Sequence, residues 1–202
     1  MSHGATARLF VALDPPPEIR GELAAWAHEA VAALAPASRS GRRAGVRVLD
    51  PDSLHLTLCF LGSRPAGELG PLAGALASAT GAVGALELGA PLLLPARRPR
   101  ALAVEVRDGA GELVALRDRV AGALAAVSDW TPERRRLRAH ITVARMSEDT
   151  VGGRRPGPPI VFAPAPSLRF TPTTVVLYRS RLEPSGAIYE ALAERELPPA
   201  WA

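Results

Sequence analysis

An apolar run at residues 8–13 (RLFVAL) stops against Pro15-Pro16-Pro17. A run of that length reads as a strand, and prolines directly behind it suit entry into a helix. The helix expected at 18–34 carries Ile19, Leu23, Trp26, Ala30 and Leu34 at helical spacing, which assigns Trp26 to the core. His28 falls off this stripe and reads as solvated. A Ser/Arg/Gly loop at 38–45 leads to a short strand at 46–49, a Pro51-Asp52 turn and a further strand ending at Gly62.

The same order then recurs. Residues 101–106 read as a strand, 111–127 as a helix with Leu113, Leu116, Val120, Leu124 and Val127 inward, and 138–144 as a strand. Between the two units lie a helix at 67–79 and apolar strands through 86–94. A Gly/Pro-rich loop at 152–159 follows the second unit, and the tail offers strands at 167–170 and 174–182. At 188–197 periodicity alone does not choose between strand and helix. The repeated strand, helix, strand order suggests an internal duplication forming two similar lobes with a cleft between them. The expected class is α+β, bilobal, with two pseudo-symmetric, mainly antiparallel sheets and helices on the outside.

Both units end on the same short pattern, His55-Leu56-Thr57-Leu58 and His140-Ile141-Thr142-Val143. Composition alone would produce two His-x-Thr copies about once in a hundred such chains. Apolar residues alternate with polar ones across each motif, and a period of two sends successive side chains to opposite faces of a sheet. His55 and Thr57 therefore share one face, as do His140 and Thr142.

Composition narrows the chemistry. The chain has 202 residues, enough for a core as one domain spanning 1–202, and 24 basic residues, all arginine. Without lysine there is no P-loop lysine, no Schiff base and no lysyl-nucleotide intermediate. A net charge of +4 and a pI near 10.4 favour an anionic partner such as nucleic acid. Arginine suits this role because its planar fork meets phosphate through two bonds. Arg134-Arg135-Arg136 with Arg138 leads into the second motif, and Arg97-Arg98 with Arg100 opens the second half, so both groups could draw an RNA backbone towards the cleft or simply be solvated loops.

The single cysteine, Cys59, cannot form an internal disulfide, and neither a signal peptide nor a long apolar span is visible, so a cytoplasmic protein is expected. Zinc-type spacing, G-x-S-x-G and G-x-G-x-x-G are missing, and Asp14, Asp50 and Asp52 read as turn and cap residues. No metal or cofactor is called for.

Histidine titrates near pH 6.5, so two of them facing each other make an acid and a base. Such a pair can cleave a phosphodiester: one imidazole takes a proton from water while the other protonates the departing ribose oxygen. Thr57 and Thr142 could donate hydrogen bonds to the non-bridging phosphate oxygens as charge develops. Of the two histidines, we expect His55 as general acid and His140 as general base.

With these residues in view, the chain resembles the two-histidine (2H) phosphoesterase superfamily, and within it the bacterial RNA 2′,3′-cyclic phosphodiesterases, or LigT-like 2′-5′ RNA ligases. The likeness rests on residues 8–13 (RLFVAL), 54–62 (LHLTLCFLG), 139–145 (AHITVAR) and 177–189 (LYRSRLEPSGAIY). It implies hydrolysis of a terminal 2′,3′-cyclic phosphate to a 2′-phosphomonoester, with reversible 2′-5′ joining of tRNA halves as a side activity. It implies Arg145 contacting phosphate and Phe60 stacking on a base; the partner expected is RNA with a 2′,3′-cyclic phosphate end, and the protein is expected to be a monomer. The resemblance also makes 188–197 a strand. Strand parity opposes two of these roles, since Phe60 and Arg145 each lie five residues after a histidine and fall on the other face unless the strands end near Gly62 and Met146-Ser147. Val48 stands where the family commonly has an aromatic residue, and Ala139 where it has proline. The alternatives are a phosphodiesterase for a small cyclic nucleotide and a non-catalytic RNA-binding protein.

Overall fold

Strand β1 (Thr6–Leu13) is buried along nearly its whole length because it lies inside a sheet, antiparallel to β3 (Leu56–Pro65) on one side and β8 (Thr174–Glu183) on the other. A strand covered on both faces reads as a continuous apolar run, which is what residues 8–13 show. The structure is a computed structural model that describes residues 5–34, 45–79, 81–146, 161–183 and 186–199. The expected loop at 152–159, and all but residue 45 of the loop at 38–45, lie outside these residues.

The remaining strands are β2 (Val46–Val48), β4 (Leu86–Leu94), β5 (Ala101–Arg107), β6 (His140–Met146), β7 (Arg169–Phe170) and β9 (Gly186–Glu196). The helices are α1 (Pro17–Leu34), α2 (Leu69–Ser78) and α3 (Glu112–Ala126). Every strand pairing among the described residues is antiparallel, in the order β7-β4-β5-β6-β3-β1-β8-β9 with β2 beside β6. The class is α+β. Segment 188–197 is largely strand, as the resemblance implied.

The order follows the two repeated units. Reading outward from the middle, one half runs β6, β5, β4 and the other runs β3, β1, β8. In each half the strand that opens the unit lies directly beside the strand with the histidine motif. The halves are not separate sheets in their hydrogen bonding, because a single pair, Leu56 with Ile141, joins β3 to β6 among the described residues. Helix packing crosses this joint: α1 contacts β6 of the opposite half, and α3 contacts β3. One apolar core therefore runs beneath both halves, including Ile19, Leu23 and Trp26 of α1 and Leu113, Leu116, Val120 and Leu124 of α3.

Three local expectations change. Val127 lies just past the end of α3 and is exposed rather than inward. The helix expected from 67 begins as a 3-10 turn at Ala66–Glu68, and α2 proper starts at Leu69. Asp50 caps a 3-10 turn by accepting from the Asp52 amide at 2.9 Å, as a cap residue should, whereas Asp14 accepts a 2.6 Å hydrogen bond from the Tyr178 hydroxyl. No helix among the described residues is long and apolar enough to cross a membrane.

Candidate active site

The pair Leu56–Ile141 sets the geometry of everything around it. Both side chains are fully buried in the core, so the residues on either side of each point to the opposite face. Antiparallel register then places His55 across from Thr142 and Thr57 across from His140. All four residues line one cleft of about 280 Å³, together with Arg100, Arg145, Leu94, Pro95 and Ala101. Its lining carries two arginines and no carboxylate, a setting that suits an anion.

Each histidine is held in the same manner. His55 Nδ1 lies 2.8 Å from the Ser53 carbonyl oxygen, and His140 Nδ1 lies 2.7 Å from the Arg138 carbonyl oxygen. A carbonyl only accepts, so this bond puts the proton on Nδ1 and leaves Nε2 as the free nitrogen in each neutral ring. In both cases the acceptor is the carbonyl two residues earlier. The two units thus present their imidazoles in matching tautomers.

Their surroundings differ. His55 is packed against Phe10, with ring centroids 4.8 Å apart, and meets Tyr189 edge-on at 5.0 Å. Tyr178 stacks on the same Phe10 at 5.2 Å and donates its hydroxyl proton to Asp14. Burial in this aromatic surround pushes the His55 pKa down to about 4; the bond to Ser53 opposes the shift, and the charges of Arg145 and His140 add to it. Protonating a buried imidazole costs hydration energy that aromatic walls do not return. His55 is therefore neutral at pH 7 in the free protein. Burial also raises the Asp14 carboxyl, which keeps its hydrogen bond from Tyr178.

Phe60 and Arg145 reach the histidine face, and the strands do not end to allow it. Thr57 pairs with Ala12 and Cys59 with Val11, so Leu58 is an extra residue opposite β1. In β6, Thr142 pairs with Ala103 and Ala144 with Leu102, so Val143 is an extra residue opposite β5. Each bulge sits three residues after its histidine and reverses the alternation beyond it. Burial follows the same reversal: Leu58 and Cys59 are both buried and Phe60 is exposed, while Val143 and Ala144 are both buried and Arg145 is exposed. Arg145 lines the central cleft with both histidines. Phe60 shares an adjoining cleft with Thr57 and His140, and the Arg8 guanidinium lies 4.9 Å from its ring centre. A second bulge at Leu61 precedes Gly62, whose φ of 72° suits glycine.

The two bulged strands, with His55, His140, Thr57 and Thr142 facing one cleft, stand inside a fold shared with solved structures. TT0787 of Thermus thermophilus is 26% identical with a TM-score of 0.67, covering 96% of this chain and 99% of that one. E. coli LigT, solved with 3′-AMP, is 23% identical with a TM-score of 0.73 over the same shares of the two chains. The fold is that of the LigT-like 2H phosphoesterases. The MHV ns2 PDE domain is a more distant likeness at 16% identity and a TM-score of 0.53, covering 87% of this chain. No family model matches the sequence, and neither does any curated protein. The resemblance drawn from the sequence motifs thus agrees with this LigT-like fold.

Some participants escaped sequence reasoning. Phe10, Tyr178 and Tyr189 surround His55 although they come from three different strands. Trp130, in the connection between α3 and β6, donates its indole N–H to the Phe60 carbonyl at 3.1 Å. Its only sequence signal was a tryptophan four residues ahead of an arginine run.

Proposed function

We propose that the protein is an RNA 2′,3′-cyclic phosphodiesterase that opens a terminal cyclic phosphate to a 2′-phosphomonoester by two-histidine acid/base catalysis, needing no metal. The observation that carries this reading is the two-fold arrangement about Leu56–Ile141, which presents two imidazoles in one tautomer, each across from a threonine, to a cleft lined by arginine. Water attacks phosphorus as one imidazole Nε2 takes its proton. The bond from phosphorus to the ribose 3′-oxygen breaks, and the other histidine, acting as an imidazolium protonated on Nε2 as well as Nδ1, gives that oxygen a proton. Thr57, Thr142 and Arg145 donate hydrogen bonds to the non-bridging oxygens, where charge grows.

The burial of His55 favours the reverse of the role allocation expected from the sequence. A ring whose pKa is lowered to about 4 starts neutral and is ready to take the proton from water, leaving His140 to supply one to the leaving oxygen. The same step, with an RNA 5′-hydroxyl in place of water, is 2′-5′ joining, and its reverse is cleavage of that linkage. Nucleotide ligands in LigT structures, solved with 3′-AMP, ATP and NADP+, support a nucleotide-type substrate. Both histidines come from one chain, so the reading takes the enzyme as a monomeric, single bilobal domain. Its cytoplasmic placement belongs to the same proposal.

The test is direct. Purified protein in chelator is mixed with RNA ending in a 2′,3′-cyclic phosphate, and the product is identified. A 2′-phosphate product, lost in both His55→Ala and His140→Ala, supports the reading. Absence of hydrolysis, or activity retained by both variants, overturns it.

A further inference from the structure

Beside the central cleft lies a second one of about 440 Å³ that shares Thr57 and His140 with it. One wall is β3 from Thr57 to Phe60, and the other is the irregular connection between α3 and β6. That connection contributes Trp130, Glu133, Arg135, Arg136 and Arg138, and Arg117 of α3 completes the charged lining. Arg117 is already engaged, with Asp118 at 2.8 Å and the Glu133 carbonyl at 2.7 Å. By contrast, the guanidinium groups of Arg135, Arg136 and Arg138 form no ion pair among the described residues. The bond from the Trp130 indole N–H to the Phe60 carbonyl ties this connection to β3 at Phe60.

Charge decides what this surface accepts. A nucleoside cyclic phosphate carries one negative charge, and the central cleft already offers Arg145, Arg100 and two threonines to it. Arg135, Arg136 and Arg138, without an ion pair among the described residues, exceed the need of a single phosphate, so they fit a ligand with several. A third cleft, on the Arg145 side, offers Arg8, Arg47 and Arg145 but sets Asp50 and Glu183 against them. The second cleft sets only Glu133 against its arginines. Aromatic faces interleaved with a basic track are how proteins hold single strands, since bases stack and guanidinium groups follow the phosphates.

Resting on the proposed activity at the histidine pair, we propose that the cleft between Phe60 and the Trp130–Arg138 connection carries the RNA strand that ends in the cyclic phosphate. Arg135 and Arg136 contact its internal phosphates, and Trp130 adds a stacking surface beyond Phe60. The protein is then an enzyme for oligonucleotide ends, with nucleoside cyclic phosphates as poor substrates.

The experiment compares adenosine 2′,3′-cyclic phosphate with a ten-nucleotide oligoadenylate bearing the same end, using wild type and R135A/R136A over a range of salt. We expect wild type to favour the oligonucleotide at least tenfold in kcat/KM at low salt, with the advantage fading as salt rises. In the double variant the advantage collapses, while turnover of the mononucleotide stays within twofold. Two lost phosphate contacts should make the log–log salt dependence of oligonucleotide binding shallower by about 1.4, since each contributes about 0.7 on a single strand. Equal use of both substrates by wild type, or an advantage that survives in the variant, overturns the strand path and leaves the catalytic reading standing. Poly-glutamate competing as well as a non-cyclic oligonucleotide overturns it in favour of an acidic protein partner. Failure of wild type on both substrates overturns the catalytic reading itself.

Discussion

Phe60 and Arg145 occupy equivalent positions, each two residues past a one-residue bulge and five past a histidine, and each is turned onto the histidine face by that bulge. The repeated pattern therefore has a shared part and a differing part. It keeps the histidine, threonine and bulge on both strands. It changes the residue delivered beyond them, an aromatic ring on one side and a guanidinium on the other, so the two ends of the cleft differ chemically.

Arg145 should be sensitive even to a conservative change. Arg145→Ala is expected to lower kcat/KM about a hundredfold, in line with about 3 kcal/mol for a charge-assisted contact. Arg145→Lys should restore only part, because an ammonium cannot make the two-pronged contact. Steady-state kinetics on a cyclic-phosphate RNA decides this; full activity in Arg145→Lys would count against bidentate binding.

The threonines are expected to act on the transition state. Thr57→Val and Thr142→Val keep shape and remove the hydroxyl, and each should reduce kcat by about 10²-fold with little change in KM. A rise in KM at constant kcat would assign them to ground-state binding instead.

His55 should make the fold acid-sensitive in a defined window. Its folded pKa of about 4 lies below the 6.5 of an unfolded histidine, so between these values the unfolded chain binds more protons. Stability from this group is fully present above pH 6.5 and is lost as pH falls through about 4, by about 3 kcal/mol in all. Denaturant unfolding of wild type and His55→Gln at pH 7 and pH 4 should show the excess loss in wild type alone. An imidazole titrating near 6.5 by NMR would contradict the buried assignment. Arg145→Ala should move that titration upward, since removing the positive charge eases protonation.

Tyr178→Phe keeps the ring on Phe10 and removes the donor to Asp14. Leaving a half-buried carboxyl without its partner should cost about 1–3 kcal/mol of stability. A double variant with Asp14→Ala should recover part of that loss in thermal or chemical unfolding. Additive losses would show that the pair contributes nothing as a pair.

Leu56 and Ile141 have no contact with substrate in this arrangement, yet they set the register of both motifs. Ile141→Ala is expected to cost about 2–5 kcal/mol as a large-to-small change in a filled core. At temperatures where the variant remains folded, its kcat should fall as well, because the same pair spaces the two imidazoles. Undiminished turnover in the folded variant would detach register from catalysis.

Alternation in Leu54–Leu58 and in Ala139–Val143 was enough to put each threonine beside its histidine, because side-chain direction in a strand is a local property. The helical stripe of Ile19, Leu23, Trp26 and Ala30 and the repeated strand, helix, strand order were legible for the same reason, and the lack of lysine removed whole mechanisms by inventory. Tertiary structure alone decided that His55 stands across from Thr142, since register belongs to a pair of strands 85 positions apart in the two motifs. It also decided that Phe60 and Arg145 escape strand parity. A bulge exists only relative to a partner strand with one residue fewer, and neither β1 nor β5 can be counted against its partner before the two are aligned. The neutrality of His55 has the same origin: burial by Phe10, Tyr178 and Tyr189 requires three strands to converge, and no spacing along the chain records that convergence.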